Sequence, residues 1–190
     1  MLQKNQRQIY LGRMTKDSPT SYRVDTLDDK GNIIGSKAWN EVDRRNDFLP
    51  NAYVFVFTPM KEMLLATLTE SKLSKKIYKG KMGVPAVSLV WSNEEPEKAA
   101  MRALLNDLSI HPSEVFFLGK EFENLSDGTK RLMHVFYCLY DGECSMNTEH
   151  LSTFKKIKRV ELETLLKVDP DQFSPQFVVA YERYKRKFPY

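Results

Sequence analysis

Residues 92–110 can form little other than a helix with a single apolar face. The entry reads Ser92-Asn93-Glu94-Glu95-Pro96, and proline fits the first helical turn because its missing N–H has no partner to lose there. Met101, Leu104, Leu105 and Leu108 then recur at helical spacing, and His111-Pro112 stops the run. One such stripe needs a second layer to cover it. Residues 51–58, 63–68, 84–91, 115–120 and 131–140 are β-branched, aromatic or apolar runs bounded by turn residues, which predicts strands.

The remaining segments extend this pattern. Residues 21–37 read as a hairpin turning at Asp28-Asp29-Lys30-Gly31-Asn32, with Gly31 supplying the positive φ. Residues 39–45 predict a helical turn and residues 161–166 a short helix. Residues 174–188 predict a longer helix, with Phe177, Val178, Tyr181 and Tyr184 on its apolar side. Strands around one amphipathic helix, with more helix at the end, predict an α/β (α+β) sandwich. A chain of 190 residues, 42% hydrophobic and 28% charged, is long enough to bury a core without disulfides or metals. The reading is a single domain over 1–190, with its core at about 20–188 and an N-terminal extension at 1–19.

Cys138 and Cys144 lack the companions that a zinc site needs, and His111, His134 and His150 are widely spread. The first residues have no apolar h-region, and no stretch reaches the roughly 18 apolar residues of a membrane span. A cytoplasmic protein is therefore expected. The net charge of +4 is mild, and solvating lysines explain it as well as a polyanionic partner does.

Residues 79–110 (KGKMGVPAVSLVWSNEEPEKAAMRALLNDLSI) carry a resemblance. They are similar to the Nudix box, G-x5-E-x7-R-E-U-x-E-E-x-G-U with U apolar. Setting Arg102 on the motif arginine puts Glu94 on the first glutamate, and Leu104 and Ile110 on the apolar positions. An opening D-x-x-D-x-x-G-N-x-I-G over 25–35 and Phe173-Ser174-Pro175 before the last helix resemble the isopentenyl-diphosphate-isomerase-like branch of that superfamily. The resemblance covers about residues 20–188. It implies a mixed sheet between helices with an N-terminal β-hairpin, and a Mg²⁺- or Mn²⁺-dependent hydrolase of diphosphate-linked substrates. In such enzymes, carboxylates three and four apart on one helix face supply hard oxygen ligands.

The departures bear on function as much as the matches. Ser88 replaces the opening glycine, Ala103 the glutamate beside the arginine, Asn106 and Asp107 the glutamate pair, and Ser109 the closing glycine. Of positions 103, 106 and 107 only Asp107 is anionic. An acidic residue that relatives carry before the last short helix falls on Lys156, where an ammonium would repel a divalent ion by about 1–4 kcal/mol per unit of the ion's charge at 4 Å. Glu94 and Arg102 retain the role of an ion pair stitching loop to helix.

Two functions follow. One is a hydrolase of a nucleoside-diphosphate-type (diphosphate-linked) substrate with reduced or lost metal-dependent activity. In it, Asp107 and Glu94 hold Mg²⁺ or Mn²⁺ weakly and act on water, while Lys76, Lys79, Lys81 and Lys156 take phosphates. The bland alternatives are a solvated Asp107 and a solvated lysine loop. The other function is an inactive Nudix-fold module that binds a nucleotide, a phosphate ligand or a protein partner through the same cleft without a cofactor. Isomerase chemistry lacks its cysteine and glutamate matches. A homodimer is compatible with the resemblance, although no residue argues for one. The basic terminal helix, with Tyr181, Tyr184 and Phe188 interleaved, fits core packing better than nucleic-acid binding. Trp91 is expected to pack rather than stack on a base.

Overall fold

The computed structural model describes residues 22–43, 45–70, 78–124, 128 and 130–190. The strands are β1 (Arg23–Leu27), β2 (Ile33–Ala38), β3 (Phe48–Phe57), β4 (Met63–Leu68), β5 (Met82–Gly83), β6 (Ala86–Leu89), β7 (Phe116–Asn124), β8 (Lys130–Leu139) and β9 (Leu151–Ile157). The helices among the described residues are α1 (Pro96–Leu108), α2 (Arg159–Val168) and α3 (Pro175–Tyr184).

Strand β3 is the spine of one mixed sheet. It runs parallel to β8 along its whole length and antiparallel to β6 and β4. Nearly every residue of β3 is buried, as befits a strand covered on both faces. Side chains alternate across a strand. Ala52, Val54 and Val56 therefore pack in the layer with α1, and Tyr53, Phe55 and Phe57 in the opposite layer with α2 and α3. The result is an α/β/α sandwich, the architecture the sequence predicts.

The opening hairpin turns where the sequence places it. Asp28 accepts hydrogen bonds from the Lys30 and Asn32 amides and from the Asn32 side chain, and Gly31 has φ +84°, which glycine tolerates best.

Helix α1 starts at Pro96 as predicted, but the face it buries is rotated from the leucine stripe. Ala99, Ala100, Ala103, Leu104, Asp107 and Leu108 are buried, while Met101 and Leu105 are only half-buried. Three alanines let the helix lie close on Ala52, Val54 and Ala86 of the sheet, and burying Leu104 contributes about 2 kcal/mol. The helix ends at Ser109, whose φ of 56° is left-handed and whose N–H donates back into the last turn. The Nudix pattern has glycine at this position, and a left-handed serine costs about 1–2 kcal/mol more.

On the other layer, Phe173, Phe177 and Tyr181 stack in succession, and Phe188 packs on Phe55 and Phe57. Tyr181, Tyr184 and Phe188 are buried, so these rings serve the core rather than a nucleic-acid surface. Cys138 is buried in the α1 layer, and burial pushes its thiol up to about 12. Along β7, the Leu118 and Lys120 carbonyls accept from Lys187 and from the Tyr184 hydroxyl, which blunts that sheet edge.

Strand β9 pairs antiparallel with β4 and was not among the strands read from sequence. It carries Lys155 and Lys156, both exposed. No helix among the described residues is long and apolar enough to cross a membrane.

Candidate functional site

Two polar clusters frame α1. At its N-terminal end the loop over 88–95 closes on Arg102. The guanidinium Nε donates to Glu94 Oε1 at 2.9 Å, Nη2 donates to Glu94 Oε2 and to the Leu89 carbonyl, each at 2.7 Å, and Nη1 donates to Ser88 Oγ at 2.7 Å. Glu94 Oε2 also accepts from the Trp91 amide at 2.9 Å. Each side chain of the pair keeps only 16% of its exposure, and the guanidinium lies 5.1 Å from the Trp91 ring centroid. Trp91 also stacks on Tyr22 and meets Trp39 edge-on, while Ser92 bonds Asp25 of β1. The loop thus ties the opening hairpin to α1. The indole is enclosed by these partners, and both Glu94 oxygens are occupied.

In the last turn of α1, one residue before its end, Asp107 is 6% exposed. Neither a solvated carboxylate nor an open ligand describes it. Its Oδ1 lies 3.0 Å from His150 Nδ1, and its Oδ2 accepts from the Val87 amide at 3.3 Å. The loop that delivers His150 is docked on the helix end, where the Ser145 amide bonds the Leu108 carbonyl and the Asn147 amide bonds the Asp107 carbonyl. These contacts satisfy carbonyls that the end of a helix leaves open. Burial pushes the Asp107 carboxyl up, with the His150 bond pulling the other way. The Asp107 bond holds the His150 imidazole above its ordinary value, opposed by burial. Sequence reading noted His150 only as one scattered histidine. The contact spans 43 positions, and no local pattern signals it.

Among the described residues, the predicted phosphate-binding lysines Lys79, Lys81 and Lys156 have separate surroundings. Lys76, with Lys72 and Lys75, lies outside the described residues. Lys79 pairs with Glu70 at 3.1 Å, and Lys81 donates to the Asp171 carbonyl. Lys156 is exposed opposite Leu64 of β4. By alternation it sits on the α1 face of the sheet, whereas Lys155 lies on the opposite face and pairs with Glu161. Lys79 lines an open depression of about 420 Å³ with Leu68, Thr69, Glu70, Gly80 and Ser152. That depression adjoins His150, because the Thr69 amide bonds the His150 carbonyl at 2.9 Å.

A layered sandwich around a mixed sheet, with one helix entered through a Glu–Arg-pinned loop, has clear structural relatives. DR0079 from Deinococcus radiodurans superposes with a TM-score of 0.69 at 15% identity, over 85% of this chain and 98% of that one. A MutT protein from Methanosarcina mazei Go1 gives 0.59 at 17% identity, over 74% and 94%. The Nudix domain of Shewanella oneidensis NrtR, complexed with ADP ribose, gives 0.58 at 15% identity, over 78% and 94%. The chain has the Nudix fold. No family model matches the sequence, and no curated protein matches it significantly.

The donor set of this Nudix-fold chain does not suit the divalent ion that Nudix hydrolases generally use. Magnesium requires oxygen ligands at about 2.0–2.1 Å in octahedral array. Ala103 is buried and has no donor, Asn106 offers only a neutral amide, and the oxygens of Glu94 and Asp107 are held by protein donors. Among the described residues, no group of three or more His, Cys, Asp or Glu side chains is placed to hold a metal ion.

Proposed function

We propose that this chain is a Nudix-fold protein of the isopentenyl-diphosphate-isomerase-like branch that has lost metal-dependent diphosphate hydrolysis. It acts instead as a binding module for a small nucleotide or diphosphate-linked ligand. The observation that carries this reading is that both oxygens of Glu94 and both of Asp107, the two carboxylates on which hydrolysis would depend, already contact protein nitrogens, while positions 103 and 106 add no further carboxylate. The depression beside His150 supports retained binding. It is lined by Lys79, Thr69 and Ser152, and the Nudix domain of NrtR is a structural neighbour complexed with ADP ribose. Lysine serves phosphate as a point charge, and a phosphate at this rim competes with Glu70 for Lys79.

Calorimetric titration with ADP-ribose and a panel of nucleoside diphosphates tests the reading, run in EDTA and again in Mg²⁺. At least one ligand is expected to bind, with affinities in the two buffers within about threefold and Lys79→Ala weaker by about tenfold. Phosphate release with Mg²⁺ or Mn²⁺ is expected at background. Metal-dependent release that disappears in Asp107→Ala would overturn the proposal and restore a working, reduced-site hydrolase.

A further inference from the structure

We propose that His150 occupies the place of the divalent ion, its imidazole acting as a built-in plug that closes Asp107 to metals. The inference rests on the loss of hydrolysis proposed above and names what replaced the ion.

Three observations converge. Asp107 Oδ1 lies 3.0 Å from His150 Nδ1, so an ion approaching that oxygen from the side of the ring, at about 2.1 Å, would have to displace it. The other oxygen faces the Val87 amide, a donor fixed in the backbone of β6 that cannot turn away. The backbone that carries the imidazole is also anchored. The His150 amide bonds the Asn147 carbonyl at 3.1 Å, its carbonyl takes the Thr69 amide at 2.9 Å, and the Asn147 amide is bonded to α1 itself. The 145–150 loop therefore presents one donor to the one anionic side chain that the resemblance leaves at the motif's paired-glutamate positions. An imidazole donor offers a buried carboxylate part of what a cation would, a hydrogen bond from a group that can carry positive charge, without requiring neighbouring carboxylates. That matches a helix carrying Ala103 and Asn106 where the pattern has glutamates. Ala103 is fully buried, so a glutamate there would overpack the core. Position 106 is half-buried and accepts one.

The test compares Mn²⁺ affinity, read by electron paramagnetic resonance, in Asn106→Glu, in Asn106→Glu with His150→Ala, and in Asn106→Glu with His150→Asn. Asparagine keeps a side-chain donor near the place of the ring nitrogen. Removing the imidazole is expected to tighten Mn²⁺ binding at least about tenfold over Asn106→Glu alone. The asparagine version is expected to stay within about threefold of it. Equal affinity with and without His150 would overturn the plug. If the alanine variant does not fold, Mn²⁺ added to the unaltered protein decides the matter through the ring signals of His150 in proton NMR. Signals that stay sharp support the plug, and selective broadening at stoichiometric metal overturns it. None of these readouts depends on turnover, so phosphate release by the unaltered protein would reject the proposed loss of hydrolysis separately.

Discussion

Arg102→Met is expected to cost the fold about 3 kcal/mol, among the largest single effects at the candidate site. The guanidinium makes four hydrogen bonds, to both Glu94 oxygens, Ser88 and Leu89. Removing one partner of a mostly buried pair strands the other charge, which costs about 3–5 kcal/mol when burial is complete. The residual exposure of 16% on each side chain trims that figure. Glu94→Gln is milder, because the amide oxygen still accepts and Leu89 and Ser88 still hold the arginine. Urea unfolding of both single variants and the double should therefore give a coupling near 2 kcal/mol. Arg102→Lys is expected to recover less than half of the loss, since one ammonium cannot span two carboxylate oxygens and a carbonyl. A loss below about 1 kcal/mol for Arg102→Met would mean that the pair contributes no more than an ordinary surface bridge.

The second large effect is a pH profile. His134 is 6% exposed, and its Nδ1 has no partner. Burial, with Lys120 adding to it, pulls the imidazole down to about 4 from 6.5, against a backbone bond to Asn51. The unfolded chain takes up a proton below 6.5 that the folded chain refuses until about 4, so stability is lost as pH falls through that window. Glu123 does the reverse. Burial and the neighbouring Glu121 push its carboxyl up to about 7 from 4.5. The folded chain keeps a proton that the unfolded chain releases, and stability is lost as pH rises through that window. Each group is worth up to about 3 kcal/mol, and between pH 4.5 and 6.5 the two slopes nearly cancel. Single substitutions expose them. Glu123→Gln is expected to exceed the unaltered protein by about 2–3 kcal/mol at pH 8 and to match it near pH 4. His134→Gln should lose its advantage above pH 7. Denaturation profiles that run parallel for all three proteins would contradict both assignments.

How much of this was legible in the sequence depends on the range of the signal. The hairpin, the entry of α1 at Pro96 and the buried aromatics of α3 follow from local rules of turn chemistry, capping and periodicity, and they stand where those rules put them. Strand β9 was missed because LSTFKKI carries its apolar residues at 151, 154 and 157, a spacing closer to helix than to the alternation of a strand. Only its pairing with β4 makes it extended. The buried face of α1 turned toward its alanines because close approach to Ala52 and Ala86 outweighs the larger leucines. Glu94 and Arg102 could be paired from a motif. Asp107 could not be joined to His150, since nothing local to either residue encodes a contact that a distant loop completes.

Glu94 in the loop before α1 and Asp107 near its end already accept protein donors, and a divalent ion finds no free set of carboxylates there. Calorimetric titration of the unaltered protein with Mn²⁺ at neutral pH measures this most directly. The account predicts no stoichiometric site tighter than about 1 mM. A single site at about 10 µM or below that vanishes in Asp107→Ala would contradict it.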